Sequence, residues 1–240
     1  MSTALTRGSI AVAQTRCVRI LLTGFEPFAG RGINPSWDAA QQLHGVAAGP
    51  ARIDVLRVPV VWRESVATIV RDLEREPAEG LVIGGLSFGR PAISVEAIAH
   101  AIGDVPWQAD NADRALSAER SDGDEDGPDA LLATAPVRAI ARAINAAGIP
   151  AVVSWDGGAY VSNATLYGAL RCAKDRGLRL PTTYLHVPGT PQMTTGTATP
   201  SLPLELIVKA LRIGCEVIAT HDGPDEPLGR WPSDMAPLPR

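Results

Sequence analysis

Residues 154–167 read SWDGGAYVSNATLY. An apolar run (Ile149, Ala151, Val152, Val153) leads into Gly157-Gly158, and a helix-like segment follows from about Val161. Paired glycines let the backbone turn sharply and approach a ligand closely, because no Cβ restricts φ. Strand, turn and helix in that order form one unit of an α/β fold. A small nucleophilic side chain at such a helix start is also a common hydrolase layout, which makes Ser162, with Asn163 beside it, a candidate nucleophile. Ser and Asn are equally the usual helix N-cap residues, and spacing alone favours the cap.

Working outward, the same alternation recurs along the chain. Toward the N-terminus, VRILLTGF after Cys17 reads as a buried strand bounded by Gly24. EPFAGRGINPSW, with two prolines and two glycines, is a loop, and Ser36 then caps a helix through WDAAQQL. ARIDVLRVPVVW is a second strand, ESVATIVRDLERE a helix closed before Pro77, and LVIGG a central parallel strand entering a site loop. AISVEAIAHAI fits strand or helix. Residues 103–129, with the acidic run SDGDEDGPD, read as a solvated surface loop without a calcium-loop pattern. A helix is expected over ALLATAPVRAIARAINAAG, closed by Gly148. Beyond the opening stretch come a helix through LYGALRCAKDR, a strand TTYLHV, a loop PGTPQMTTGTATPS and a last helix LPLELIVKALRIGCEVIAT.

These elements predict a single three-layer α/β/α domain over 17–220 with a mostly parallel central sheet. Residues 1–16 form an irregular lead-in and 221–240 a Pro-rich tail. Ligands of such sheets bind at the carboxyl ends of the strands. The segments from Gly24, Gly84 and Gly157, together with His186, converge there.

Composition narrows the function. With 240 residues, 45% hydrophobic and 20% charged, the chain fits a soluble globular protein. A net charge of −4 and pI near 5.6 argue against nucleic acid as a partner. No apolar run reaches membrane-spanning length, and no signal peptide is evident. Cys17, Cys172 and Cys215 have neither metal-site spacing nor the even count of a disulfide framework, which points to the cytosol.

Three polar residues form the minimal set for acyl transfer: Ser162 as nucleophile, His186 as base and Glu96 to orient the imidazole. A hydroxyl is a weak nucleophile until a base takes its proton, and the base needs its second nitrogen held by an acceptor. Taken singly, a strand histidine is more often packing and a lone glutamate more often surface.

In order along the chain, LLTGFEPFAGRGINPSW, GGLSFGRPAISVE, DGPDALLATAPVRAIARAINAAGIPA and LHVPGTPQ carry a resemblance. From Val18 to Thr220 the sequence is similar to the pyroglutamyl peptidase I family (pyrrolidone-carboxylate peptidases, peptidase family C15). That resemblance implies a cytosolic α/β/α protein, often tetrameric. It implies removal of an N-terminal pyroglutamyl residue from a peptide or small-molecule substrate, with no metal or cofactor. It places the catalytic glutamate on Glu96 and the catalytic histidine on His186. Phe25 and Phe28 would sandwich the flat lactam ring, supported by the loop through Asn34, with Gly85, Tyr160 and Val161 completing the substrate contacts. Aromatic faces suit a small planar ring because they exclude water and fix its orientation.

The chain also departs from the family. Its nucleophile motif, roughly S-N-T-A-G-T-[FY]-V-C-N-H, appears here as SWDGGAYVSNA, so Ser162 stands at the cysteine and Ala164 at the histidine. Ala97 replaces an arginine, Leu86 replaces a glutamine, and GDVPWQADN lacks the downstream arginine. The expectation is a serine-variant hydrolase, forming a homotetramer or homodimer. Its alternatives are a binder of small cyclic ligands and an acyl-transfer or cyclising enzyme. For the last, Trp107 and Trp155 would reshape the pocket. Cys172 is not expected to replace Ser162.

Overall fold

A computed structural model describes residues 18–226. The first half runs β1 (Val18–Phe25), α1 (Pro35–Ala40), a short β2 (Ala47–Ala48), β3 (Ala51–Val58), α2 (Glu64–Arg75) and β4 (Gly80–Leu86). Then come β5 (Ile93–Glu96), β6 (Ile98–His100), β7 (Ile102–Gly103), β8 (Glu119–Arg120) and β9 (Ala130–Leu132). The chain closes with α3 (Val137–Ala146), β10 (Ala151–Ser154), α4 (Val161–Asp175), β11 (Thr182–Val187), α5 (Pro191–Thr194) and α6 (Leu204–Thr220).

Seven strands form the central sheet in the order β10-β5-β11-β4-β1-β3-β2. β3, β1, β4 and β11 are mutually parallel; β5 runs antiparallel to β11 and parallel to β10, and β2 antiparallel to β3. Because side chains alternate across a strand, each strand supplies two cores. Ile20, Leu22, Val82, Val95, Leu185 and Val187 pack against Ile140 and Ile144 of α3 and Leu211 and Cys215 of α6. Leu21, Phe25, Ile83 and Tyr184 pack on the other face with Ile69 of α2 and Val161, Leu166 and Leu170 of α4. The result is the expected three-layer α/β/α domain with a mostly parallel sheet. It also fixes the site, since Ser94 and Glu96 share a face of β5, and Tyr184 and His186 share a face of β11.

Several expected elements change. Asn34, not Ser36, caps α1: its side chain accepts from the Ser36 N–H, and Pro35 opens the helix, as suits a residue with no N–H to bond. β3 stops at Val58, ahead of Pro59, which has no N–H for the ladder. The helix expected from Ala130 begins only at Val137, after Pro136, and Ala130–Leu132 instead pairs with Ile98–His100. AISVEAIAHAI resolves into three short strands. Residues 103–129 are mainly loop but are not simply solvated. Leu116, Asp110 and Ser121 are buried, β8 pairs with β7, and Arg171 holds Asp124 at 2.9 Å. A short helix, α5, lies in the segment expected to be loop. The lead-in, Cys17 and residues 227–240 of the tail lie outside the described residues. Within the part of the tail that is described, Asp225 accepts hydrogen bonds from the N–H groups of Arg138 and Ala139, both at 2.9 Å. It supplies the cap that Pro136 cannot give α3.

Candidate active site

His186 lies near the carboxyl end of β11, where Gly85 of β4 is its neighbour in register. Across the antiparallel β5–β11 pair, Glu96 stands opposite Tyr184 and Ser94 opposite His186. Glu96 and His186 are therefore diagonal neighbours on one face, within reach of long side chains. Their side chains meet, with His186 Nδ1 2.7 Å from Glu96 Oε1, and both are almost fully buried. The reversed direction of β5 makes this possible. The expected convergence on carboxyl strand ends holds for β1, β4 and β11 but not for the Gly157 segment. β10, like β5, runs opposite to them, so Glu96 and the glycine turn reach the site from the other direction.

This pairing sets the chemistry of the imidazole. With Nδ1 donating to the carboxylate, Nε2 is left as the basic nitrogen. Burial pulls His186 below its ordinary range, Glu96 opposes that shift, Arg90 reinforces it, and Asp156 opposes it weakly. The ring is accordingly neutral near pH 7, the state a general base requires. Glu96 Oε2 is buried with no hydrogen-bond partner among the described residues.

Ser162 is the second residue of α4, after the Gly157-Gly158 turn. Gly158 has φ +77°, a left-handed conformation that favours glycine, and its N–H bonds Asp156 Oδ1 at 2.8 Å. A Cβ on Gly157 would meet both Asn163 and the Glu96 carboxyl carbon, so the turn lies directly against the buried carboxylate. Ser162 does not serve as the N-cap. Tyr160 holds that position without a side-chain hydrogen bond, while Ser162 Oγ lies 3.5 Å from the Gly157 carbonyl and also interacts with the buried Tyr184 phenol. No hydrogen bond joins Ser162 to His186 among the described residues. The structure thus assembles two of the three expected groups directly and leaves the hydroxyl at the pocket wall.

The pocket next to Ser162 is lined by Phe25, Phe28, Asn34, Val60, Leu86, Tyr160, Val161, Ser162 and Tyr184. Phe28 and Tyr160 are 6.0 Å apart between ring centres, and Trp62 meets Tyr160 edge-on at 5.5 Å. Tyr160 is pinned by a 2.8 Å bond from its hydroxyl to the Ala109 carbonyl. Asn34 braces the Phe25–Phe28 turn by donating to the Glu26 carbonyl at 3.0 Å. Asn111 ties the same turn from the other side, through Glu26 Oε1 at 2.7 Å and the Pro27 carbonyl at 3.0 Å. Asp110 accepts from the N–H groups of Trp62, Ala112 and Arg114. The segment that lacks the expected arginine therefore still builds the pocket wall.

Five of the six expected substrate contacts, Phe25, Phe28, Asn34, Tyr160 and Val161, line this pocket. Gly85 does not; a side chain there would overlap the Tyr184 hydroxyl, so this glycine makes room for that phenol. Trp107 and Trp155 are exposed and do not line the pocket, so they do not reshape it. Cys172 borders a larger cleft between α2 and α4, whose lining includes neither His186 nor Glu96. Among the described residues no group of three or more His, Cys, Asp or Glu side chains could hold a metal ion.

Two residues of the site escape a motif-based reading. Tyr184 is buried, its ring 4.4 Å from that of His186, and burial together with the Glu96 charge pushes its phenol well above the ordinary range. The period-two pattern of TTYLHV already places it on the His186 face. Arg90 donates to Glu96 Oε1 at 3.1 Å. Its only sequence signal is an arginine closing the glycine-rich loop six residues before Glu96.

Comparison with known proteins agrees with this architecture. The sequence model of the pyroglutamyl peptidase family matches residues 18–221. The pyrrolidone-carboxylate peptidase of Bacillus velezensis is 32% identical over 204 residues, 85% of this chain and 94% of that protein. That of Bacillus subtilis is 31% identical over the same shares. The crystal structure of Bacillus amyloliquefaciens pyroglutamyl peptidase I superposes with a TM-score of 0.82 at 32% identity, covering 85% of this chain and 98% of that one. A variant of the Pyrococcus furiosus pyrrolidone carboxyl peptidase gives 0.79 at 30% identity, covering 84% and 98%. On its matched sequence and its fold alike, the chain belongs to the pyroglutamyl peptidase family.

Proposed function

We propose that this protein hydrolyses the amide bond after an N-terminal pyroglutamyl residue, with Ser162 as nucleophile, His186 as general base and Glu96 orienting the imidazole. The observation that carries this reading is the buried His186–Glu96 pair set beside a small aromatic pocket with a serine hydroxyl in its wall. The lactam ring enters between Phe25, Phe28 and Tyr160, which desolvate it and hold it flat. Ser162 Oγ attacks the scissile carbonyl carbon as its proton passes to His186 Nε2. The tetrahedral intermediate collapses, and the leaving amine takes that proton. Water, activated by the same nitrogen, then cleaves the acyl-serine ester and releases pyroglutamate. The developing oxyanion lies near the first turn of α4, whose N–H groups have no side-chain cap and whose dipole favours negative charge.

The serine carries a penalty. A cysteine can reach the thiolate near neutral pH, whereas a serine must give up its proton during the attack itself. The 3.5 Å contact of Ser162 with the Gly157 carbonyl is weak enough for a bound substrate to turn the hydroxyl toward His186.

Cytosolic residence and assembly into a homodimer or homotetramer belong to the same proposal. No helix of the described residues is long and apolar enough to cross a membrane. Val152 and Trp155, at and just beyond the edge strand β10, expose apolar surface that a second copy would cover. The test of substrate class is a set of matched peptides beginning with pyroglutamate, proline or glutamine. Release of the first residue from the pyroglutamyl peptide alone is expected; equal cleavage of all three, or of none, overturns the reading.

A further inference from the structure

We propose that Arg90 is a positioning residue, whose guanidinium locks the Glu96 carboxylate to the loop that delivers Ser162. Four hydrogen bonds radiate from it. Nε donates to Ser87 Oγ at 3.1 Å, in the loop after β4. Nη1 donates to Glu96 Oε1 at 3.1 Å and to Ser154 Oγ at 3.2 Å, the latter at the end of β10. Nη2 donates to the Asp156 carbonyl at 2.8 Å, one residue before the glycine turn. One planar group thus joins three separate pieces of chain: the loop after β4, the end of β5, and the β10–α4 connection carrying Ser162.

A lysine cannot reproduce this arrangement. Its ammonium is a single point at the end of a flexible stem, while the guanidinium presents five N–H groups in a fixed fork. Glu96 Oε1 receives both Arg90 and His186, so the arginine also balances a carboxylate that would otherwise sit buried with only a neutral imidazole for company. The Ser154 hydroxyl reinforces the clamp by donating to the Asp156 carbonyl at 3.1 Å.

Four charged or titratable groups face His186: Glu96, Arg90, Asp156 and the Tyr184 phenol. Arg90 is the one cation among them, and it disfavours the imidazolium. Its removal makes His186 easier to protonate, so the imidazole titrates at higher pH and the acid limb of kcat/KM moves up with it. A residue that only stabilised the fold would not shift that limb in a defined direction.

The kinetic arm of this inference rests on the hydrolytic reading; the titration arm does not. Arg90→Met and Arg90→Lys are compared with the unaltered protein in two measurements, after thermal melting has identified the folded variants. The first is the NMR titration of the His186 ring protons in the free protein, assigned by their loss in His186→Gln. Arg90→Met is expected to raise the midpoint, and Arg90→Lys to leave it close to the original. The second is turnover of a pyroglutamyl amide. Arg90→Met is expected to lower kcat about 10–100-fold with a smaller change in KM, and Arg90→Lys to lower kcat by less, because it keeps the charge and loses the fork. An unmoved midpoint in folded Arg90→Met, or unchanged kcat in Arg90→Lys, overturns the inference. If the unaltered protein shows no turnover, the hydrolytic reading fails, and the titration alone still decides whether Arg90 acts on the His186–Glu96 pair.

Discussion

Replacing Glu96 by glutamine isolates the charge of the orienting carboxylate while keeping its shape. Glu96 Oε1 sits 2.7 Å from His186 Nδ1 in a nearly water-free site. During attack by Ser162 the imidazole becomes a cation, and the carboxylate is its immediate counter-ion. A hydrogen bond to a charged group contributes about 1.5–3 kcal/mol, and leaving a buried charge without its partner costs about 3–5 kcal/mol. Since each 1.4 kcal/mol is about a factor of ten in rate, kcat of Glu96→Gln should fall about 10²–10³-fold. KM should change little, because Glu96 does not line the aromatic pocket. Glu96 is also what holds the His186 pKa up against burial. Its loss therefore moves the acid limb of kcat/KM to lower pH, the reverse of the shift expected for Arg90→Met. Steady-state kinetics on a fluorogenic pyroglutamyl amide across the acid limb would report both effects. A kcat within about threefold of the original, equivalent to roughly 0.7 kcal/mol, would refute the reasoning that the carboxylate stabilises the imidazolium.

Further outcomes follow from other parts of the structure. The folded-state pKa of His186 is depressed, so the unfolded chain binds its proton more readily. This contribution to stability is present above the ordinary imidazole range and is lost as pH falls toward the folded-state value. Thermal melts should show that loss below about pH 6.5, and His186→Gln should flatten it. Phe28→Ala removes one face of the lactam pocket without emptying the deep core; KM should rise about 5–30-fold, as for about 1–2 kcal/mol of lost apolar contact, with the melting temperature nearly unchanged. Asp225→Ala uncaps α3 and should cost about 1 kcal/mol in denaturant unfolding while leaving kcat unaltered, since among the described residues that carboxylate bonds the start of α3 and does not line the aromatic pocket.

Much of this architecture is legible in the sequence, for physical reasons. Buried parallel strands read as continuous apolar runs, so VRILLTGF, LVIGG and TTYLHV declare themselves, and the glycine turn before Val161 marks the start of α4 at the right residue. Strand direction leaves no local trace. Nothing in AISVE says that β5 runs against β11, yet that reversal is what sets Glu96 diagonally across from His186. Pro136 was a readable helix boundary, but the alanine-rich stretch before it masked a strand whose pairing with β6 depends on tertiary structure. The Arg90 clamp was hidden for a different reason. A guanidinium reaches partners 64 and 66 residues away that share no motif with it. Asp225 likewise caps a helix whose start lies 87 residues earlier. Side-chain alternation could have found Tyr184, which follows from the same period that places His186.

The most direct test of the account is hydrolysis of a fluorogenic pyroglutamyl amide by the unaltered protein, Ser162→Ala and Ser162→Cys, measured side by side. Measurable turnover is expected of the unaltered protein, none above background for Ser162→Ala, and activity retained or raised in Ser162→Cys, where the thiol meets the same imidazole. Turnover that survives in Ser162→Ala, or that is confined to Ser162→Cys, would contradict the claim that this serine is the working nucleophile.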